Sequence, residues 1–161
     1  MKVKVAQCYD DGVATDIRFI EMLRKYNAKA TFNLCPGLLP ATERIEPHRV
    51  APEVKEWSYK GFSGGHVALS ELVDIYADFE VASHCWEHEN AGKVADQVFI
   101  DSAVRTKEFL EDVFQRSCRG FAYPCSAHTP ETEKLLESAQ KYGKSPYGEH
   151  LKNVANGKVR Y

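Results

Sequence analysis

Basic charge is not in excess in this chain: 21 lysines and arginines stand against 23 acids, for a formal net charge of −2. No positive field draws the protein onto nucleic acid or an anionic lipid surface, so neither partner is expected. No apolar run approaches the roughly 18 residues that a spanning helix needs. The start, Met1-Lys2-Val3-Lys4-Val5-Ala6, has neither the apolar stretch nor the small-residue cleavage site of an export signal. A soluble, cytoplasmic protein is the expectation. Cysteine pairs are missing too. Cys8, Cys35, Cys85, Cys118 and Cys125 are odd in number and include no Cys-x-x-Cys spacing, which argues against a disulfide framework or a zinc ribbon and suits a reducing compartment. Repeats, low-complexity tracts and linkers are lacking, which leaves a single domain over residues 1–161.

What is present is a core and an alternation. With 43% hydrophobic residues in 161, the chain can bury a sizeable interior. Lys2 to Cys8 alternates apolar and polar residues and is predicted as a strand. Thr15 to Tyr26 places Ile17, Ile20, Met22 and Leu23 at helical spacing, with Thr15 or Asp16 able to cap it. Ala28 to Leu34 is the second predicted strand. From Cys35 to Gly65, the prolines Pro36, Pro40, Pro47 and Pro52 forbid a long helix or a central strand, and at most short helices are expected. Val67 to Tyr76 is predicted helical, Phe79 to Ala82 extended, and Val94 to Phe114 a long helix with Val98, Ile100, Val104, Phe109, Leu110 and Val113 on its apolar side. Arg119 to Tyr123 is the next strand. Pro130 to Tyr142 is a helix capped by Thr129 and stopped by Gly143. Tyr147 to Val154 suggests a last helix, and Lys158 to Tyr161 the start of a strand. Alternating strands and helices predict a parallel sheet or barrel, in which crossovers bring the carboxyl ends of all strands to one face.

Three polar motifs follow predicted strands. Asp10-Asp11-Gly12 closes the first, Ser83-His84-Cys85-Trp86-Glu87-His88 follows an apolar run, and Arg119-Gly120-Phe121-Ala122-Tyr123-Pro124 comes third. Histidines four apart share a face if the segment makes one helical turn, and a divalent cation then joins them. Asp11 adds a carboxylate, giving two nitrogens and one oxygen with a position left open, the pattern of a catalytic and not a structural metal site. Cys85, one step from His84, points off that face and is expected to be a small buried filler. Trp86 is expected in packing or as a cleft wall, and Glu87 and Glu89 in solvent.

Taken together with Ala30-Thr31-Phe32, these motifs, in this order and over about residues 3 to 143, resemble the polysaccharide deacetylases, the NodB-homology domains of carbohydrate esterase family 4. The resemblance implies an α/β fold, a distorted (β/α) barrel with a metal at its strand ends. It makes Asp11, His84 and His88 the metal ligands and Asp10 the catalytic base. It has Arg119 holding Asp10 in an ion pair, and the backbone N–H of Tyr123 donating to the oxyanion. The implied cation is zinc, with cobalt, nickel or manganese as alternatives, and the implied substrate is an acetylated carbohydrate.

The chain departs from that family in one large respect. An Asp-Trp segment and an apolar strand ending in Leu-x-His, the family's source of the general acid, have no counterpart after Gly143. The expectation is a barrel incomplete at its C-terminus, from a piece of a longer chain or a shortened relative, with exposed edges that favour self-association into a homo-oligomer. His128, a few residues past Tyr123-Pro124, is the first alternative proton donor. Asn33 stands where a second Phe is common, and Cys8-Tyr9 where Thr-Phe is. Two functions follow: a metal-dependent deacetylase, hydrolysing a carbon–nitrogen bond other than a peptide bond or an ester, or a non-catalytic relative that keeps the metal and only binds carbohydrate. The absent general acid favours the second, and the intact Asp10 the first.

Overall fold

The computed structural model describes residues 5–138. The last predicted helix, the terminal strand segment and Gly143 lie outside that range. Four parallel strands form the central sheet: β1 (Cys8–Asp10), β2 (Thr31–Leu34), β5 (Glu80–Ser83) and β6 (Gly120–Phe121), in the order β1-β2-β5-β6. Strand order follows chain order, as in the wall of a (β/α) barrel; among the described residues the sheet stays open. The crossovers carry α1 (Asp16–Lys25), α2 (Leu72–Tyr76) and α3 (Asp96–Phe114), and α4 (Pro130–Ser138) follows β6.

Every residue of β2 is buried, because a central parallel strand is covered on both faces. Phe32 from β2 meets Tyr76 of α2 at 5.0 Å between ring centroids and Phe79 edge-on at 5.4 Å. Ile20, Leu34, Leu72 and Leu110 belong to the same cluster. A second cluster gathers Phe99 and Ala103 of α3, Phe121 of β6, Leu136 of α4 and Cys85.

Several predicted boundaries move. β1 is Cys8–Asp10, with Cys8 opposite Thr31; residues 5–7 of the predicted strand precede its first paired residue, and residues 2–4 lie outside the described range. Val67 is not helical: its N–H donates to the Gly12 carbonyl (3.0 Å), and a 3₁₀ turn at Leu69–Glu71 precedes α2. Between Cys35 and Gly65 there is more than short helix. Besides a 3₁₀ turn at Pro36–Leu38, the antiparallel strands β3 (His48–Arg49) and β4 (Phe62–Ser63) pair there. Strands two residues long leave no periodicity to read.

Helix ends show how caps are decided. The cap expected from Thr15 or Asp16 does not form: neither side chain bonds the first turn of α1, and the Asp16 carboxylate instead accepts the Tyr76 hydroxyl at 2.8 Å. Thr129 caps α4 as expected, accepting the Thr132 N–H (3.1 Å) while the Thr132 hydroxyl accepts the Thr129 N–H (2.9 Å), a reciprocal box. α3 buries Phe99, Ala103, Thr106 and Leu110, whereas Val98 is half exposed. The predicted apolar side was therefore turned by one residue at the helix start. No described helix is long and apolar enough to cross a membrane.

Candidate metal centre

Asp11 sits in the turn that leaves β1. Its φ is 75°, a left-handed conformation that Asp tolerates better than most residues, and its N–H donates to the Asn33 carbonyl at 2.9 Å. Gly12 follows at φ 69°, where an added Cβ meets Leu39 at 3.3 Å and Leu34 at 3.4 Å. The turn thus needs glycine both for its conformation and for room.

The histidines come from the loop leaving β5, and no helical turn brings them together. Cys85 and His88 take left-handed backbone conformations, φ 64° and 60°, and the loop folds back so that the two imidazoles meet edge to face at 4.9 Å between centroids. α3 holds this loop. The Ser102 hydroxyl accepts the Trp86 N–H (2.6 Å) and donates to Glu89 (2.7 Å), and the same Glu89 oxygen accepts the Glu87 N–H (2.9 Å). Glu89 is therefore a structural brace and not the solvated acid expected. Trp86 packs. Arg105 lies over its ring at 3.7 Å, Phe109 meets it edge-on, and an added Cβ at Gly37 falls 2.4 Å from its Cδ1. Cys85 is buried, and that burial pushes its thiol up. Cys35 is also buried, its thiol likewise pushed up, and it donates to the His84 carbonyl at 2.9 Å.

Asp11, His84 and His88 converge: ligand-capable atoms of all three lie within 4.8 Å of one another. Asp11 Oδ1 is 3.7 Å from Nε2 of His84 and 3.7 Å from Nε2 of His88, beyond hydrogen-bond range. His84 Nδ1 lies 2.9 Å from the Ala122 carbonyl. A carbonyl only accepts, so Nδ1 carries a proton and Nε2 is the nitrogen that faces Asp11. Donors held at about 2.0–2.2 Å from a tetrahedral cation stand about 3.4 Å apart, close to the 3.7 Å that separates Asp11 from each histidine. The residues present therefore fit a divalent cation that takes nitrogen and oxygen ligands.

Asp10 stands outside this cluster and is exposed. Its Oδ1 accepts the Asn33 side-chain amide at 2.7 Å. The ion pair expected with Arg119 does not form. Asp10 is level with Asn33, Ala82 and Gly120 across the sheet, so Arg119 is three strand spacings away, about 14 Å along the sheet. Arg119 is also exposed and precedes the first residue of β6, at the end of the strand that points away from the site. Tyr123 lies past the carboxyl end of β6, next to the Ala122 carbonyl that orients His84. Its ring stacks on Phe99 at 5.7 Å and touches Phe121 and His128, and burial pushes its phenol up. His128 is paired with Glu133 at 2.7 Å.

Sequence reasoning missed Asn33, the Ala122 carbonyl and the Ser102–Glu89 brace. Only Asn33 carried a signal, an amide between Phe32 and Leu34 in a predicted strand.

The family model described as polysaccharide deacetylase matches residues 2–147. Comparison with curated protein sequences finds no match. Among solved structures, the deacetylase PplD of Streptococcus pyogenes, in complex with acetate, superposes with a TM-score of 0.65 at 18% identity, over 88% of this chain and 54% of that one. IcaB from Ammonifex degensii gives 0.61 at 18% identity, over 86% and 58%. A CE4 family pseudoenzyme from Bacillus anthracis gives 0.60 at 19%, over 88% and 42%. The chain thus spans between 42% and 58% of the length of these three structures, and at such identities the likeness is one of fold. The match of the family model over most of the sequence, together with that fold, shows that the chain belongs to the polysaccharide deacetylase family.

Proposed function

We propose that this chain carries the catalytic face of a metal-dependent hydrolase that releases acetate from an N- or O-acetylated carbohydrate. The observation that supports this reading is the meeting of Asp11, His84 and His88 beside a second carboxylate, Asp10, that is not drawn into their cluster. Asp11, His84 and His88 hold the cation, and zinc suits this donor set best, with cobalt, nickel or manganese as alternatives. When bound, such a cation polarises the acetyl carbonyl and lowers the pKa of a water to about 7. Asp10 accepts the proton of the attacking water. The backbone N–H of Tyr123 donates to the oxygen on which charge develops, a contact of a kind worth about 3–4 kcal/mol. Ala122, bonded to His84 Nδ1, keeps the imidazole in its ligating tautomer.

The test is acetate release from an acetylated chito-oligosaccharide by chelated protein and by the same protein with each metal restored. Release that depends on the metal and is lost in Asp10→Asn supports the reading. Stoichiometric metal and bound oligosaccharide without acetate replaces it with the non-catalytic binding function.

A further inference from the structure

The expected partner of Asp10 is about 14 Å away along the sheet, yet Asp10 is not left unheld. Asn33, in the middle of β2, is 1% exposed, and its Nδ2 donates to Asp10 Oδ1 at 2.7 Å. The same residue's backbone carbonyl accepts the Asp11 N–H at 2.9 Å. One residue of the central strand therefore ties both residues of the Asp-Asp turn, its side chain holding the Asp10 carboxylate and its main chain holding the Asp11 N–H.

The other end of that amide is the telling part. Asn33 Oδ1 is buried and has no hydrogen-bond partner among the described residues. Its neighbour in register on β5 is Ala82, whose methyl group offers nothing to it. Flipping the amide does not help, because it sets Oδ1 against the Asp10 carboxylate, acceptor against acceptor. A buried acceptor left unpaired destabilises a fold by about 1–3 kcal/mol. An apolar residue of similar size avoids that cost and suits a strand buried on both faces. Packing alone therefore does not account for asparagine here; the bond to Asp10 does.

We infer that Asn33 is the positioning residue for the general base, aiming Asp10 at the attacking water by fixing one carboxylate oxygen and leaving the other free. The inference rests on Asp10 being that base. Asn33 touches neither cation nor substrate; it acts through Asp10.

Three measurements test it on the full chain. In NMR spectra, the Asn33 side-chain NH₂ signals shift on Asp10→Ala; signals that do not move mean the bond is absent and overturn the inference. In metal-loaded protein, Asn33→Leu lowers kcat about 10- to 100-fold, the range expected of a misaimed group, with KM within about twofold, stoichiometric metal kept and Tm not reduced. A kcat within about twofold of the parent, or a kcat loss accompanied by loss of metal or of Tm, overturns it. Should Asn33→Leu fail to fold, the isosteric Asn33→Asp is read by the same kcat, KM and metal criteria. Finally, Asn33→Leu costs nothing further in an Asp10→Asn background, where no carboxylate remains to aim; an additional loss there overturns the inference. Full activity of Asp10→Asn refutes the base assignment itself, whereas an inactive Asp10→Asn beside a fully active Asn33→Leu refutes only the role of Asn33.

Discussion

His84 Nδ1 lies 2.9 Å from the carbonyl oxygen of Ala122, and this contact between the ends of two neighbouring strands settles which imidazole nitrogen faces Asp11. It joins the loop after β5 to the loop after β6, and with the Asp11–Asn33 and His84–Leu34 backbone bonds it ties the site across all four strands. His84 is 2% exposed, so its orientation is imposed by packing as well as by the bond.

Replacing His88 with Ala is expected to take bound metal from stoichiometric to background, since it leaves one imidazole and one carboxylate. Elemental analysis after exhaustive dialysis measures this. Unchanged metal content means that the three residues do not share a cation.

Asp10→Asn is expected to keep the metal and lose about 10²- to 10⁴-fold in turnover, because an amide cannot accept a proton from water. Metal content and acetate release are measured on the same sample. Loss of both moves Asp10 into the ligand set.

Arg119→Ala is expected to leave turnover within about twofold and stability within about 0.5 kcal/mol, as for other exposed positions away from special features. A large kcat loss in that variant contradicts the separation seen across the sheet.

Asp16 supplies a pH dependence. Burial pushes its carboxyl up to about 7, against the lowering effect of the Tyr76 hydrogen bond, with the charges of Asp11 and Asp10 adding to the rise. Between the ordinary carboxylate range and that value the folded state holds a proton the unfolded state has released. Stability therefore falls as pH rises through this window, by at most about 1.4 kcal/mol per pH unit. Metal-free protein should lose Tm from pH 5 to pH 7.5, and Asp16→Asn should flatten that slope. Parallel slopes for the two proteins count against the assignment.

Gly37→Ala forces a methyl into Trp86 and its carbonyl, 2.4–2.6 Å away. Overpacking of this kind costs about 1–3 kcal/mol, and because Trp86 lies between the two histidines, metal affinity should fall with Tm. Wild-type affinity at reduced Tm shows instead that the loop yields without moving the ligands.

The convergence of Asp11, His84 and His88 was legible in the sequence because ligand-capable chemistry is confined to few residue types and each of the three follows a strand that alternation or apolarity reveals. The route by which the histidines meet was not legible. Spacing of four suggests a helical turn, but two left-handed residues, Cys85 and His88, fold the loop back instead, and no local propensity marks them. Arg119 was misplaced for a related reason: a motif locates a strand, but only the residue at which pairing begins tells which end of it a side chain occupies. Pairing starts at Gly120, so Arg119 falls on the side away from the site.

By itself, the sequence determined the parallel α/β layout, the two imidazoles and the carboxylate that converge, and a second carboxylate beside them, since these depend on periodicity and on side-chain chemistry carried within short segments. Tertiary structure alone decided what holds that chemistry in place. The Ala122 carbonyl, the Ser102–Glu89 brace and the Asn33 amide act across strands and helices distant in sequence, through groups that any residue or any polar residue can offer. Register, and not residue identity, brings them into reach.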